Sequence, residues 1–423
     1  MVICGRLNAF DDDLQQRLDA IREQGLYREL RRVDSAQGPR IEIAGRMLLN
    51  FSSNDYLGLA NHPALKEAAL KAVEKFGAGA GASRLICGSL APYHELEGTL
   101  AAFKGTEAAL SFSTGYAAAL GAITALVGKD DLIILDKLVH ASIVDAARLS
   151  GAKLRVFDHN DLNDLETILK WADKISKAES GKRKAKTLVV TESVFSMDGD
   201  HAPLGEIVTL KEKYGAWLMV DEAHATGLFG ENRRGLSEAT GVSDRVEIQM
   251  GTLGKALGAS GGYICGSRTL IDFLVNRARS FIFSTAPVPA AAAAATAGIQ
   301  FVQCGEGEKL RSLLWRHIDR VGADVRRLSN SLTGGQKSQS LLTSSPTSKE
   351  NLSPILPLIV GEETKAVSIS SVLRERGLFV PAIRYPTVAR SAARLRITVA
   401  ATHTAEDVLQ LTAALSQIVN RKS

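Results

Sequence analysis

Val246-Glu247-Ile248-Gln249-Met250-Gly251-Thr252-Leu253-Gly254-Lys255-Ala256-Leu257-Gly258 joins a short strand-like run to a lysine set between glycines, and Gly261-Gly262 follows. A lysine at such a strand exit can lose its hydration and its charge and attack a carbonyl. Alone, the pattern equally describes an ordinary solvated lysine. Upstream, Trp217-Leu218-Met219-Val220 runs into Asp221-Glu222-Ala223-His224. A carboxylate closing a buried strand ahead of a reactive lysine fits pyridoxal 5'-phosphate (PLP), whose aldehyde the lysine holds and whose pyridinium nitrogen the acid pairs with.

Around these stretches strands and helices alternate. Leu110–Ser113, Leu132–Leu135, Leu154–Phe157, Leu188–Thr191, Leu218–Val220, Val246–Met250 and Tyr263–Cys265 read as short buried strands, the rhythm of an α/β domain with a mostly parallel sheet. Before them, 11–32 predicts an amphipathic helix carrying Leu14, Leu18, Ile21 and Leu26, with Arg28, Arg31 and Arg32 at its C-terminal end. Ile41–Phe51 predicts a hairpin, and Asn61 and Pro63 open a helix with Leu65, Ala69, Val73 and Phe76 at helical spacing. A long helical stretch from Pro287 towards Leu332 gives way to a polar segment, Gly334–Asn351. Strands at Ile355–Val360 and Leu395–Val399 then build a smaller α+β unit. The division expected is 1–55 as a helix and hairpin segment, 56–290 as the large PLP-binding domain and 291–423 as the C-terminal domain.

The chain has 423 residues, 45% hydrophobic and 23% charged, with a net charge of +5. That is the composition of a globular protein, with no basic tract for nucleic acid. Cys4, Cys87, Cys265 and Cys304 are scattered, which points to free thiols in a reducing compartment and gives no metal-ligand spacing. Asp11-Asp12-Asp13 precedes any apolar run, and Ala290–Ile299 is too short for a membrane span. These features lead to an expectation of a cytoplasmic protein with no membrane contact.

Candidate site residues fall at successive strand ends, where open α/β sheets bind ligands. Gly115 and Tyr116 open a helix whose N–H groups suit a phosphate, or simply form a strand-to-helix turn. His140 could stack on a cofactor ring or be structural. Glu192-Ser193-Val194-Phe195-Ser196-Met197-Asp198-Gly199-Asp200 is a polar loop able to hydrogen-bond a ring substituent, and His224 could reach a phenolic oxygen.

From about Asn50 onward the chain resembles the α-oxoamine synthases, fold-type I PLP enzymes that condense an amino acid with an acyl-CoA and release CO2 and CoA. The resemblance rests on Ser83-Arg84-Leu85-Ile86-Cys87-Gly88-Ser89, Phe195–Asp200, Val220–His224 and Ala382-Ile383-Arg384. It implies that Lys255 holds the cofactor and moves protons at the substrate Cα, that Asp221 pairs with the pyridinium and that His140 stacks on the ring. Ser196 and His224 would bond the phenolic oxygen, and Gly115, Tyr116 and Thr252 the phosphate. Ser284 and Thr285 match phosphate contacts that the family takes from the second subunit of a homodimer. Asn54 and Arg396 match positions holding the amino-acid carboxylate, and Arg384 and an N-terminal arginine, here Arg31, complete the substrate set. The nearest member is the biotin-pathway one, which implies L-alanine and a pimeloyl thioester as substrates and no metal.

The chain departs from the family pattern at Tyr385-Pro386-Thr387-Val388-Ala389-Arg390-Ser391-Ala392, where a proline pair and a glycine turn are usual. That departure bears on acyl specificity. Alternatives are a glycine-using sister activity (2-amino-3-ketobutyrate CoA ligase or 5-aminolevulinate synthase), an aminotransferase, or a non-catalytic partner subunit of the same fold.

Overall fold

A computed structural model of the chain describes residues 9–178, 185–332 and 352–420, so the polar segment 334–351 and Cys4 lie outside the described residues. The centre is a seven-stranded sheet. Its spatial order is Ala108–Phe112, Gly262–Gly266, Ile248–Thr252, Trp217–Asp221, Thr187–Glu192, Leu132–Asp136 and Lys153–Phe157. Gly262–Gly266 runs antiparallel to both of its neighbours, and the other pairings are parallel.

The inner strands are continuous apolar runs because both faces are covered. Alternate residues serve different cores. Ile133, Leu135, Leu188, Val190 and Met219 pack under the helices Gly115–Leu126, Ala141–Ser150 and Arg268–Arg277. Leu132, Ile134, Val189, Leu218 and Val220 join the larger core on the other face, with the helices Ala91–Lys104 and Pro289–Gln303. At about 25 cal/mol per Å² of apolar surface removed from water, these two cores are the main stabilising term.

The expected strands form within a residue or two of their predicted ends, and the expected helices differ more. The first helix is Ala9–Glu23 and stops short of the arginines. Gly25 takes a left-handed conformation (φ 66°), and the Leu26 N–H donates to the Ile21 carbonyl across the turn. Arg28, Arg31 and Arg32 therefore follow the helix and do not cap it. The stretch after Pro287 is two helices, Pro289–Gln303 and Gly305–Leu332, broken at Cys304. Gly307 lies so close to the Phe301 carbonyl that a Cβ there would sit 2.2 Å away. In Pro63–Phe76 the covered residues are Leu65 and Ala72, and Val73 faces outward.

Two small sheets frame the large one. The hairpin Arg40–Ile43/Arg46–Asn50 turns on Ala44 and Gly45, both at positive φ, and Leu378–Phe379 adds a third strand. The second sheet orders Ile355–Gly361, Ala393–Thr398 and Ala382–Ile383. The hairpin and the C-terminal chain are tied together by buried His403. Its Nε2 donates to the Asn50 carbonyl at 3.0 Å, its Nδ1 accepts from the Ala400 N–H at 3.0 Å, and its ring stacks on Phe51 at 4.3 Å. Among the described residues no helix is long and apolar enough to cross a membrane.

Burial holds His403 neutral down to a pKa of about 4, against an ordinary value of 6.5. Between those values the unfolded chain binds a proton that the folded chain refuses. Stability should therefore fall as pH drops from about 6.5 towards 4, and His403→Gln should lose less over that window than the wild type in pH-resolved thermal melts. Parallel losses in the two proteins would contradict this.

Candidate active site

Four neighbouring strands end in polar residues on one edge: Thr252, Asp221, Glu192 and Asp136. The apolar strand bodies fix the backbone, so these side chains emerge at set spacings. A cleft of about 180 Å³ opens there, lined by Gly115, Tyr116, His140, Glu192, Asp221, His224, Thr252 and Lys255. All eight are residues singled out from the sequence; Ser142, Ala223 and Met250 complete the wall.

Lys255 is presented by a tight loop. The Leu253 N–H donates to the Gly261 carbonyl, the Ala259 N–H to Leu253 and the Gly258 N–H to Lys255, each at 2.9 Å. Gly258 has φ 68° and lies against Leu59, where a Cβ would meet the Leu59 Cβ at 2.4 Å. Only glycine allows that approach. Loss of hydration pushes the Lys255 amine below the ordinary lysine value, opposed by Asp221 and Glu192. The same loss pushes the Asp221 carboxyl up, opposed by Lys255, and Glu192 still further up, with Asp221 adding to the rise.

Asp221 is held by the Ala223 N–H at 2.9 Å. Glu222, fully buried, accepts from the Leu236 and Ser237 N–H groups at 2.9 Å each and so anchors the turn that carries His224. His224 is buried and held neutral, its pKa pushed well down by desolvation and by the neighbouring Lys255 and Arg396. Its Nδ1 is 2.7 Å from the Tyr56 hydroxyl, and that phenol's own pKa is raised by burial to about 12. The His140 Nδ1 contacts the Ser142 hydroxyl at 2.8 Å, which sets the ring orientation. Thr114 caps the helix that begins at Gly115, accepting from the Ala117 N–H at 3.0 Å, and the positive end of that helix favours an anion in the cleft.

Other expected residues stand apart from the cleft lining. Arg396 and Asn54 are joined at 3.1 Å, and Asn54 is also 3.2 Å from the Tyr56 hydroxyl, which places the pair behind His224. Ser196 meets this group through its backbone, its carbonyl accepting from Arg396 Nε at 2.7 Å. Ser284 and Thr285 line a separate crevice beside Arg84 and Ser111. Arg31 and Arg384 line a second cleft of about 380 Å³. Arg28 and Arg374, Phe379 and Ile383 share that cleft, with Arg384 donating to the Tyr27 carbonyl at 3.0 Å and Arg31 over the Phe379 ring at 5.9 Å. Sequence reasoning missed Tyr56, Ser142, Arg28 and Arg374. Tyr56 lies in the quoted Asn54-Asp55-Tyr56-Leu57-Gly58 stretch, where an aromatic with a hydroxyl among polar residues was the available signal.

The donor set fits PLP. It offers an amine short of its ordinary basicity, a buried carboxylate for a ring nitrogen, a neutral imidazole and a helix N-terminus for the phosphate. Glu192 Oε1 is buried without a hydrogen-bond partner in the protein, as expected of a group reserved for a ligand.

The model of the class I and II aminotransferase family matches residues 46–415. The chain is 45% identical over 403 residues to the 8-amino-7-oxononanoate synthase of Geotalea daltonii, covering 95% of this chain and 96% of that protein. Its identity to the Geobacter sulfurreducens protein of the same name is 46% over 401 residues, with 95% and 96% covered. The chain belongs to the class I and II aminotransferases, within the 8-amino-7-oxononanoate synthase group. Among solved structures, a Sphingomonas wittichii serine palmitoyltransferase matches with a TM-score of 0.84 and 32% identity, covering 99% of both chains. The Francisella tularensis 8-amino-7-oxononanoate synthase matches at 0.68 and 28%, covering 89% of this chain and 98% of that one. A serine palmitoyltransferase with bound PLP matches at 0.84 and 28%, covering 99% of both chains. The fold is PLP fold type I and the cofactor is PLP.

Tyr56→Phe leaves His224 Nδ1 without its partner in a fully buried position, a loss of about 1–3 kcal/mol. We expect a lower thermal midpoint and roughly tenfold lower activity. Wild-type activity in this variant would remove Tyr56 from the account.

Proposed function

We propose that this protein condenses L-alanine with a pimeloyl thioester to give 8-amino-7-oxononanoate, CO2 and the free thiol, a step of biotin synthesis. The observation that carries the reading is 45% identity along almost the whole chain to 8-amino-7-oxononanoate synthases, in a protein whose cleft gathers Lys255, Asp221, Glu192, His140 and His224. In the reaction a bond forms between the alanine Cα and the acyl carbonyl carbon, the carbon–sulfur bond breaks, and the carboxylate leaves as CO2.

PLP bound in the cleft supplies an electron-poor ring that acidifies the alanine Cα–H. Asp221 keeps a proton on the ring nitrogen by charge pairing. The Lys255 amine is the base that removes the Cα proton and later returns one. His140 would stack on the ring, and His224, oriented by Tyr56, would bond the phenolic oxygen with Ser196. Gly115, Tyr116 and Thr252 receive the phosphate. Arg396 and Asn54 take the alanine carboxylate.

The second cleft, with four guanidinium groups against Phe379 and Ile383, suits an aliphatic chain ending in a carboxylate. We assign it the pimeloyl tail, with Arg384 and Arg28 as anion partners and Arg31 at the rim. Ser284 and Thr285, which line a separate crevice, serve the phosphate of a second subunit in a homodimer. We infer a cytoplasmic location, where CoA thioesters and PLP are both available.

The experiment is CoA release from pimeloyl-CoA with L-alanine or glycine, in wild type and Arg384→Gln. Alanine-dependent release is expected, with Arg384→Gln raising KM for pimeloyl-CoA about tenfold while leaving KM for the uncharged acyl-CoA of equal length unchanged. Release with glycine alone would move the protein to a sister activity. Equal effects on both thioesters would overturn the tail assignment.

A further inference from the structure

Beneath the cofactor cleft lies a buried charged cluster that the reaction does not use. The His159 ring is 6% exposed. Its Nδ1 is 2.9 Å from Asp136 Oδ1 and its Nε2 is 2.8 Å from Asp200 Oδ2. Phe195 closes one side of the ring edge-on at 4.3 Å. Imidazole can donate from both nitrogens only when protonated. Burial alone would lower the His159 pKa, but the hydrogen bonds to the two carboxylates outweigh it and raise the value to about 10.

Asn160 reinforces the same link. At φ 56° it turns its backbone N–H to Asp136 Oδ2 at 2.9 Å and its side-chain amide to Asp200 Oδ2 and the His201 carbonyl, each at 3.1 Å.

What the two carboxylates are attached to gives the cluster its meaning. Asp136 ends a strand and accepts the Leu138 N–H at 2.8 Å, shaping the turn that delivers His140. Asp200 closes the loop that carries Ser196. The Phe195 N–H donates to the Asp200 carbonyl at 3.0 Å and the Gly199 N–H to Phe195 at 2.9 Å. From the other side that loop is gripped by strand Ala393–Thr398, through the Arg394–Asp198 ion pair and the bond from Arg396 to the Ser196 carbonyl. Replacing a buried ionic triad by an apolar cluster of equal volume is often neutral or stabilising, so stability is a weak reason for it.

We propose that His159 is a positioning residue, an imidazolium clamp that fixes the turn bearing His140 against the loop bearing Ser196 and Arg396's backbone partner. The clamp thereby sets the alignment between His140 and Arg396. This rests on the function proposed above for its kinetic consequence, but not for its structural one.

The test compares wild-type holoenzyme with His159→Phe and His159→Gln at a temperature where all remain folded. Hydrogen exchange should rise in two separated segments, 136–142 and 193–202, while bound PLP is retained. The kcat per bound cofactor should fall about 10- to 100-fold, as a misplacement of about 1 Å costs, with KM for L-alanine rising by a smaller factor and Gln intermediate. An unchanged kcat per bound cofactor, whatever happens to the melting temperature, overturns the proposal. So does exchange that rises in neither segment. If His159→Phe does not fold, Asp200→Asn is read instead, with increased exchange expected in 193–202 and its absence counting against the clamp. A wild type that never turns over L-alanine defeats the proposed function, while the exchange measurement still reads the clamp.

Discussion

Everything in this fold serves to keep one amine and two carboxylates poorly hydrated in the same cleft. Lys255 opposes the shift that burial imposes on Asp221 and Glu192, and they oppose the shift on Lys255, while Asp221 adds to the rise at Glu192. Removing one partner from such a group leaves uncompensated charge at a cost of several kcal/mol, so the scaffold must fix all three. It does so with parallel strands buried on both faces, whose ends cannot move without disturbing two cores. Glycine serves the same end at Gly258, where the lysine loop presses on Leu59 more closely than any side chain permits.

Around that centre the groups divide between two clefts. The cofactor cleft contains acids, a neutral imidazole and a helix N-terminus, the chemistry of proton movement beside an anion. The second cleft is rich in arginine over apolar walls, the chemistry of recognition. Strand Ala393–Thr398 pairs with Ala382–Ile383 of the second cleft's wall. It sends Arg394 to Asp198 and Arg396 to Asn54 and the Ser196 carbonyl, so the small sheet holds the loops of the large one. This arrangement ties together elements that lie far apart in the chain.

The sequence revealed those parts whose cause is local. Short apolar runs ending in Asp221, Glu192 or Thr252 announce strands and their exits, and eight cleft residues followed from that pattern together with the family resemblance. Parts caused by distant contacts stayed hidden. The helix predicted through residue 32 ends at Glu23 because Gly25 closes it, and a single glycine was outweighed by the apolar spacing around it. Arg28 and Arg374 meet across a cleft that no spacing reports. His159 looks like any polar loop residue until Asp136 and Asp200 are seen on either side of it. The Ser196 carbonyl accepts from Arg396, a backbone contact that no side-chain pattern announces.

The central claim is that Lys255, and no other lysine, carries the cofactor. Borohydride reduction of the PLP-loaded protein, followed by proteolysis and peptide mass analysis, tests it directly. The account predicts a pyridoxyl mass increment on the peptide containing Lys255 and on no other. An increment on a different lysine, or none after reduction of fully loaded protein, would contradict it.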